Sequence, residues 1–427
     1  MRENNDQFFQ KESVFCTMIC HRVTINLGDS LFYIVLMWLL YDLTKDPFYT
    51  GMSGFMFSMA DALNFFCGPI IDRCSKRWLL LITSAVQFFV LLGLYCLSAN
   101  GTVYVPLLLL SIPVFDLMSK MTYSIHNTLI PILVKKEEWM TANTVLSITN
   151  TGIDLMFSAV AGVVLALFYL KTIFMVNSLI NLAALVTAMF LFRKLSSKRE
   201  FTDNETRTSV PSLKEVWKGY REDLKSGIIL VKNKTILSLV VPLVGLSLFY
   251  AMMLVNLPAF SARIFGSAMG YGFMLTLLAV GSIAGALLSG QLTKRFRLGR
   301  LFPQLFVLGG VSWIFMSLFI ESAPLLGALF LVIASGSLGA VNIIFGTLFQ
   351  QIPPQDMIAR VNTVNLSLIA IASLCGSLLG GVIVRFSADF IPFLLCGVGY
   401  LLIGWIMRVN TRTKMLPTID KVQQNIL

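Results

Sequence analysis

Gly68-Pro69-Ile70-Ile71-Asp72-Arg73-Cys74-Ser75-Lys76-Arg77 passes from an uncharged apolar run into a knot of charge within ten residues. A Gly-Pro pair near the end of an apolar segment of about twenty residues, followed at once by an acid and three bases, fits a short loop between two membrane helices facing the cytoplasm. Related chemistry returns about 220 residues later as Gly290-Gln291-Leu292-Thr293-Lys294-Arg295-Phe296-Arg297. Two such loops at that separation suggest a duplicated helical bundle.

Composition agrees. Of 427 residues, 56% are hydrophobic and only 13% charged, with a mean hydropathy of +0.78. Soluble domains carry about a quarter of their residues as charge, so this is a polytopic membrane chain. The net charge of +11 would point to nucleic acid in a soluble protein. Here position explains it: 27 of the 33 Lys and Arg fall on the side of both termini, four (Lys45, Lys171, Arg263, Arg385) on the other, and Arg22 and Lys120 lie inside helices. The positive-inside rule then puts both termini in the cytoplasm of a cell whose plasma membrane holds the protein, with no nucleic-acid partner.

Apolar runs of about 18–25 residues give twelve spans in two sets of six. The first set lies near 14–42, 50–71, 78–98, 104–127, 140–168 and 171–192, the second near 235–261, 270–291, 301–320, 324–349, 360–384 and 391–409. The expected fold is an all-α membrane protein of two six-helix bundles, 1–192 and 235–409, related by a pseudo-two-fold axis along the membrane normal. Asn143-Thr144-Val145 recurs as Asn362-Thr363-Val364, and Gly162 maps onto Gly381 at the same offset. Residues 193–234 form a cytoplasmic linker with eleven bases and six acids, in which Leu213, Val216, Trp217, Tyr220 and Leu224 step like one face of a membrane-surface helix. A solvated spacer fits that segment equally well. Residues 410–427 are a cytoplasmic tail, and the first apolar run, without a small-residue cleavage site, is a retained helix.

These residues resemble the major facilitator superfamily. Gly68, Asp72, Arg73, Lys76 and Arg77 fit its loop between helices 2 and 3, and the twelve spans with a long central loop fit its plan. Leu27-Gly28-Asp29-Ser30, Leu40-Tyr41-Asp42-Leu43-Thr44, Ile130-Pro131 with Ala142-Asn143, and Gly219-Tyr220 with Gly227 resemble the macrolide-efflux-like drug antiporters within it. The resemblance implies export of small molecules in exchange for protons. The second copy of the loop has Thr293 or Lys294 where the acid would stand, and helix 5 reads Ser158-Ala159-Val160-Ala161-Gly162, without the Gly-Pro of many drug exporters.

A charge near the bilayer centre is costly, so ionisable residues there are functional candidates. Asp29, Asp61, Asp116 and Asp154 sit near the middle of helices 1, 2, 4 and 5, with Arg22 and Lys120 beside them. The second half has no such charge near the centre of its spans, only amides such as Asn256, Asn342 and Asn365. Asp116 and Lys120 are four apart on one helical face and are expected to neutralise each other. Asp29, Asp61 and Asp154 have no cation near in sequence, and an unpartnered acid in a membrane is a natural proton carrier; the alternative is that each merely hydrogen-bonds a neighbouring helix. In the loop, Asp72 is expected to accept hydrogen bonds from a facing helix and act as a gate, with Gly68 allowing close packing. His21 and His126, near the cytoplasmic helix ends, are expected to be solvated or hydrogen-bonded rather than to relay protons.

Seven scattered cysteines indicate no disulfide framework. Cys16, Cys20 and His21 lack a fourth donor, so no metal or other cofactor is expected. The leading expectation is a monomeric antiporter, in contact with lipid, that exchanges amphipathic drug-like or antibiotic molecules for protons, with the acids of the first half facing a Phe- and Met-rich second half. Export of one metabolite, peptide or siderophore is the alternative. A membrane enzyme or sensor finds no nucleotide loop, metal cluster or catalytic triad in support.

Overall fold

In the computed structural model of the chain, residues 2–99, 101, 104–134, 139–196, 234–352 and 358–418 are described, and every regular element among them is a helix. The lipid interior offers no hydrogen-bond partners, so a crossing segment must satisfy its backbone within itself. In chain order the helices are α1 (Arg2–Thr44), α2 (Pro47–Arg73), α3 (Lys76–Ala99), α4 (Val105–Leu133), α5 (Trp139–Leu167), α6 (Leu170–Ser196), α7 (Lys234–Leu254), α8 (Leu257–Phe265), α9 (Ala268–Arg295), α10 (Leu298–Phe319), α11 (Pro324–Gln351), α12 (Ile358–Phe386), α13 (Ile391–Val409) and the single turn α14 (Thr411–Lys414). Ten of them contain segments long and apolar enough to cross a membrane. With α2 and α5, of 27 and 29 residues, they account for twelve crossings. The linker helix expected within 197–233 and the two polar loops 135–138 and 353–356 lie outside the described residues.

One expected span is two helices. The segment read as 235–261 breaks at Val255 and Asn256, between α7 and α8. Pro258 enters at the first turn of α8 and has no N–H to give the preceding turn, which ends the ladder there. Asn256 is fully buried at the break, and its Nδ2 donates to Met252 O at 2.8 Å. Gly266, in the left-handed region at φ 63°, then ends α8, and Ser267 caps α9 by accepting from the Gly270 N–H.

The described residues cluster into two compact units. In the first, from 1–36 and 59–217, α3 packs on α6 and on α4, and α4 on α5. Its core at the charged end joins Met18, Leu80, Ile125, Leu129 and Leu191. In the second, from 37–58 and 218–427, α10 packs on α13 and α11, α9 on α11, and α7 on α12. Third-with-sixth and third-with-fourth pairings thus occur in both sets of six. The turn after α2 (Cys74, Ser75) and the one after α9 (Phe296, Arg297) are both two residues long, as the repeated loop motif predicts.

Contacts assign residues 37–58, the end of α1 and the start of α2, to the second unit, although they lie within the span of the first bundle in sequence. Trp38 stacks on Tyr271 with ring centroids 5.7 Å apart, and a Cβ placed on Gly51 would meet the backbone of Gly381. Arg385 Nε lies 3.8 Å from Asp46 Oδ2. At the other end of this unit the tail folds back. The carbonyls of Pro417 and Leu416 accept from the N–H groups of Leu298 and Gly299, two of the donors that the first turn of α10 leaves open.

Arg263 ends α8 paired with Glu321 and with Asp389 Oδ2, the latter at 2.7 Å. Its side chain is 41% exposed, so Arg263→Ala is expected to change stability in detergent by less than about 1 kcal/mol. A thermal melt monitored by fluorescence checks this.

Candidate functional site

The intramembrane charges converge inside the first unit. On α1, Arg22, Asn26, Asp29 and Ser30 follow steps of four, three and one, one face of a helix. On α4, Asp116, Ser119, Lys120 and Tyr123 do the same. Asp29 is held from two sides: Tyr123 Oη donates to its Oδ2, Ser119 Oγ donates to its Oδ1 at 2.5 Å, and Gln87 Nε2 of α3 donates to Oδ1 at 3.3 Å. Gln87 also donates to Ser119 Oγ at 2.6 Å. A carboxylate with three side-chain donors is locked in place, with its charge spread over them.

Gly28, the residue before Asp29, turns toward α6. A Cβ there would lie 2.5 Å from Asn181 Nδ2, and Asn177 Nδ2 donates to Gly28 O at 3.3 Å. Ser30, one residue on, donates to Asp154 Oδ1 at 2.6 Å. The Gly28-Asp29-Ser30 run therefore ties α1 to α6, to α3 and α4, and to α5. Arg22 lies over the Tyr123 ring with its guanidinium carbon 3.7 Å from the centroid, and its Nε donates to Asn150 Oδ1 at 2.9 Å. Arg22 is 4% exposed and its Nη1 finds no partner among the described residues.

Asp61 has no cation near it in sequence, but the fold brings one to it from α4. Lys120 Nζ is 2.9 Å from Asp61 Oδ1 and 4.0 Å from Asp116 Oδ1, so the pair anticipated within α4 is the longer arm of a three-residue cluster. Sequence spacing shows only neighbours on one helix, and α2 supplies the nearer acid. The Asp61 and Lys120 side chains are 49% and 32% exposed, whereas Asp116 is 15% exposed. A Lys120→Met, Asp61→Asn double-mutant cycle on thermal stability is expected to give a coupling of about 1 kcal/mol or less, because solvent screens this pair.

Of the two expected states for the histidines, solvated or hydrogen-bonded, the structure has the second. His21 of α1 and His126 of α4 are fully buried, with His21 Nδ1 2.9 Å from His126 Nε2 and His21 Nε2 3.0 Å from Ser84 Oγ. Cys16 and Cys20 are exposed, so His21 is turned away from them. In the loop that opens the sequence reading, the side chains of Asp72 and Arg73 lie outside the described residues. Arg77 Nη1 donates to Ser196 Oγ at 3.1 Å, tying the loop to the end of α6. Among the described residues a Cβ on Gly68 would meet nothing within 4 Å, so close packing does not explain that glycine in this arrangement.

Sequence reading did not single out Asn26, Gln87, Ser119, Tyr123, Asn150, Asn177 or Asn181. The signal was present: polar residues spaced by three or four along apolar helices, on the same faces as the acids.

Helices arranged in two six-helix bundles, with a partly exposed charge cluster along the helices of one of them, fit a polytopic transporter fold. The chain matches the family model of the Major Facilitator Superfamily over residues 18–377 and belongs to that family. It is accordingly a multi-pass integral membrane protein that moves a solute by alternating access, and members of this family are transporters rather than enzymes. No curated protein matches it in sequence. Among solved structures it is similar to a bacterial homologue of the iron transporter ferroportin in an inward-facing state, with 16% identity, a TM-score of 0.71, and 92% of this chain and 98% of that one covered. It is also similar to the xylose transporter XylE from E. coli in an inward-open conformation, with 10% identity, a TM-score of 0.65, and 97% and 99% coverage. A peptide transporter in complex with alafosfalin gives 12% identity, a TM-score of 0.66, and 92% and 93% coverage. At these identities the likeness is one of fold.

Proposed function

We propose that this protein exports amphipathic, drug-like or antibiotic cations in exchange for protons, in the manner of the macrolide-efflux-like antiporters. The carrying observation is the charge balance of the first unit. Four carboxylates face two bases, and the two acids with the greatest exposure, Asp61 and Asp154, are held by one lysine and one serine. An accessible, acid-rich site at membrane depth favours a cation on its way through, and its acids are suited to take protons in return. Asp29, Asp61 and Asp154 are the proton-coupling candidates. Asp116 and Lys120 with Asp61 set the site's charge, Arg22 anchors Tyr123, and Gly68, Asp72, Arg73, Lys76 and Arg77 form the gate loop on the cytoplasmic side.

The protein acts as a monomer in the plasma membrane with both termini inside, as its cation distribution supports. Expression in a host lacking its own pumps, scored against a panel of dyes and antibiotics with and without a protonophore, tests the reading. Resistance abolished by the protonophore is the expected result. No resistance to any cation would shift the proposal to export of a single metabolite, peptide or siderophore.

A further inference from the structure

The buried histidine pair takes no part in the carboxylate cluster, yet its hydrogen bonds run in one direction. Ser84 Oγ donates to Leu80 O at 2.8 Å, which uses its only proton, so Ser84 accepts from His21 Nε2–H. His21 Nδ1 is then bare and accepts from His126 Nε2–H across 2.9 Å. The chain ends at His126 Nδ1, a lone pair on a fully buried ring with no partner among the described residues. The opposite set of tautomers would forgo the Ser84 to Leu80 bond and leave a buried N–H unpaired, the costlier arrangement. The network therefore has one bare acceptor; a proton taken there breaks none of its hydrogen bonds, but the new N–H must gain a partner as the surrounding helices move.

We propose that His21 and His126 form a proton-binding site of the transport cycle, which takes one proton from the aqueous phase at the His126 Nδ1 lone pair and signals its charge to Asp29 through Arg22. The rings meet edge to face, 5.0 Å between centroids, so the imidazolium charge is shared along the Nε2–H to Nδ1 bond. Burial acts on the pair first, and after it the charge of Arg22, next to His21 on α1. On α4, Tyr123 lies under Arg22 and donates to Asp29, and Lys120 pairs with Asp61. From α3 the pair meets Ser84, and the titratable residues of that helix, Lys76, Arg77, Tyr95 and Cys96, lie about two turns or more along it. From α5, Asn150 holds Arg22 and Asp154 bonds Ser30.

A positive charge on the pair repels the Arg22 guanidinium, whose Nη1 is unpartnered in this arrangement. Moving Arg22 off Tyr123 loosens the donor that holds Asp29. Protonation of the pair and release of Asp29 are thereby coupled through one side chain. The site is distinct from the carboxylates proposed above, and only the transport arm of its test rests on proton-driven exchange.

The chain has two histidines in all, so 15N-histidine NMR of the full-length protein in liposomes reads the pair directly. From about pH 8 to about pH 5, the range in which histidines titrate, one of two bare ring nitrogens is expected to acquire a proton. His126→Gln, which keeps a donor toward His21 but takes no proton, is expected to abolish that step. The same variant is expected to shift the pH profile of efflux by about one unit, whereas a merely structural histidine would lower the rate at every pH alike. Two bare nitrogens persisting to about pH 5, or an unchanged profile in the variant, overturns the proposal. Wild-type efflux indifferent to a protonophore would instead count against the exchange reading, and the NMR titration would still decide the histidine pair.

Discussion

Asp29→Asn is expected to lower proton-driven efflux by about tenfold to a hundredfold while leaving the protein folded. Asn keeps the size and one acceptor oxygen, so Ser119 and Gln87 retain a partner. Tyr123 Oη would then point its proton at an amide nitrogen, which is a donor and has no lone pair free to accept it. Losing a hydrogen bond to a charged group is worth about 1.5–3 kcal/mol, which sets the range. The larger loss is chemical, because an amide cannot carry the proton. The comparison with Asp154→Asn is informative: Asp154 is exposed and accepts from Ser30, where Asp29 has three donors, so that variant is expected to lose less stability. Dye efflux from inside-out vesicles energised by a proton gradient measures the effect. Wild-type drive in Asp29→Asn, Asp61→Asn and Asp154→Asn alike would sink the carboxylate reading.

The second large effect is structural. Gly285→Leu is expected to cost about 3 kcal/mol or more, lowering the detergent melting temperature by about 6–12 °C or preventing a monodisperse preparation. A side chain at Gly285 has no room, since a Cβ there would run into the backbone of Gly336 where α9 crosses α11. Gly281, one turn earlier, meets Ser335 and the Val332 backbone in the same way. Close helix approach through small residues is the main source of association in lipid, where burial gives no hydrophobic gain. Gly290 on the same helix is the control: nothing lies within 4 Å of its Cβ position, and Gly290→Leu is expected to leave the melt within about 0.5 kcal/mol of wild type. Equal effects in the two variants would show that the crossing is not what holds α9 to α11.

These two glycines mark where sequence reading stops. Gly281 and Gly285 have the spacing of a helix-crossing motif, but that spacing is common in membrane bundles and carries little weight alone. Gly68 and Gly290 stand in charged-loop motifs, and the motif predicts close packing at Gly68; among the described residues both are open. Whether a glycine is buried against backbone depends on which helix passes it, and that is a tertiary fact.

The site divides similarly. That Asp29, Asp61, Asp116, Asp154, Arg22 and Lys120 matter was legible, because each is expensive in lipid and few such residues occur. How they partner was not. Lys120 takes Asp61 from another helix in preference to its own neighbour Asp116, and Asp29 finds a tyrosine, a serine and a glutamine. The histidines looked peripheral from their place near the helix ends, and helix packing buried them together.

By itself the sequence determined the class: length, hydropathy, the run of apolar segments and the one-sided cations permit only a multi-span helical bundle, because lipid forces each crossing to close its own hydrogen bonds. The repeated loop after the second span of each half determined that the bundle is double. Tertiary structure decided the break between α7 and α8, the company of residues 37–58, the Lys120 cluster and the histidine pair. Each depends on contacts between residues up to more than a hundred positions apart, where one helix's polar face meets another's and a buried group must take whatever partner packing provides.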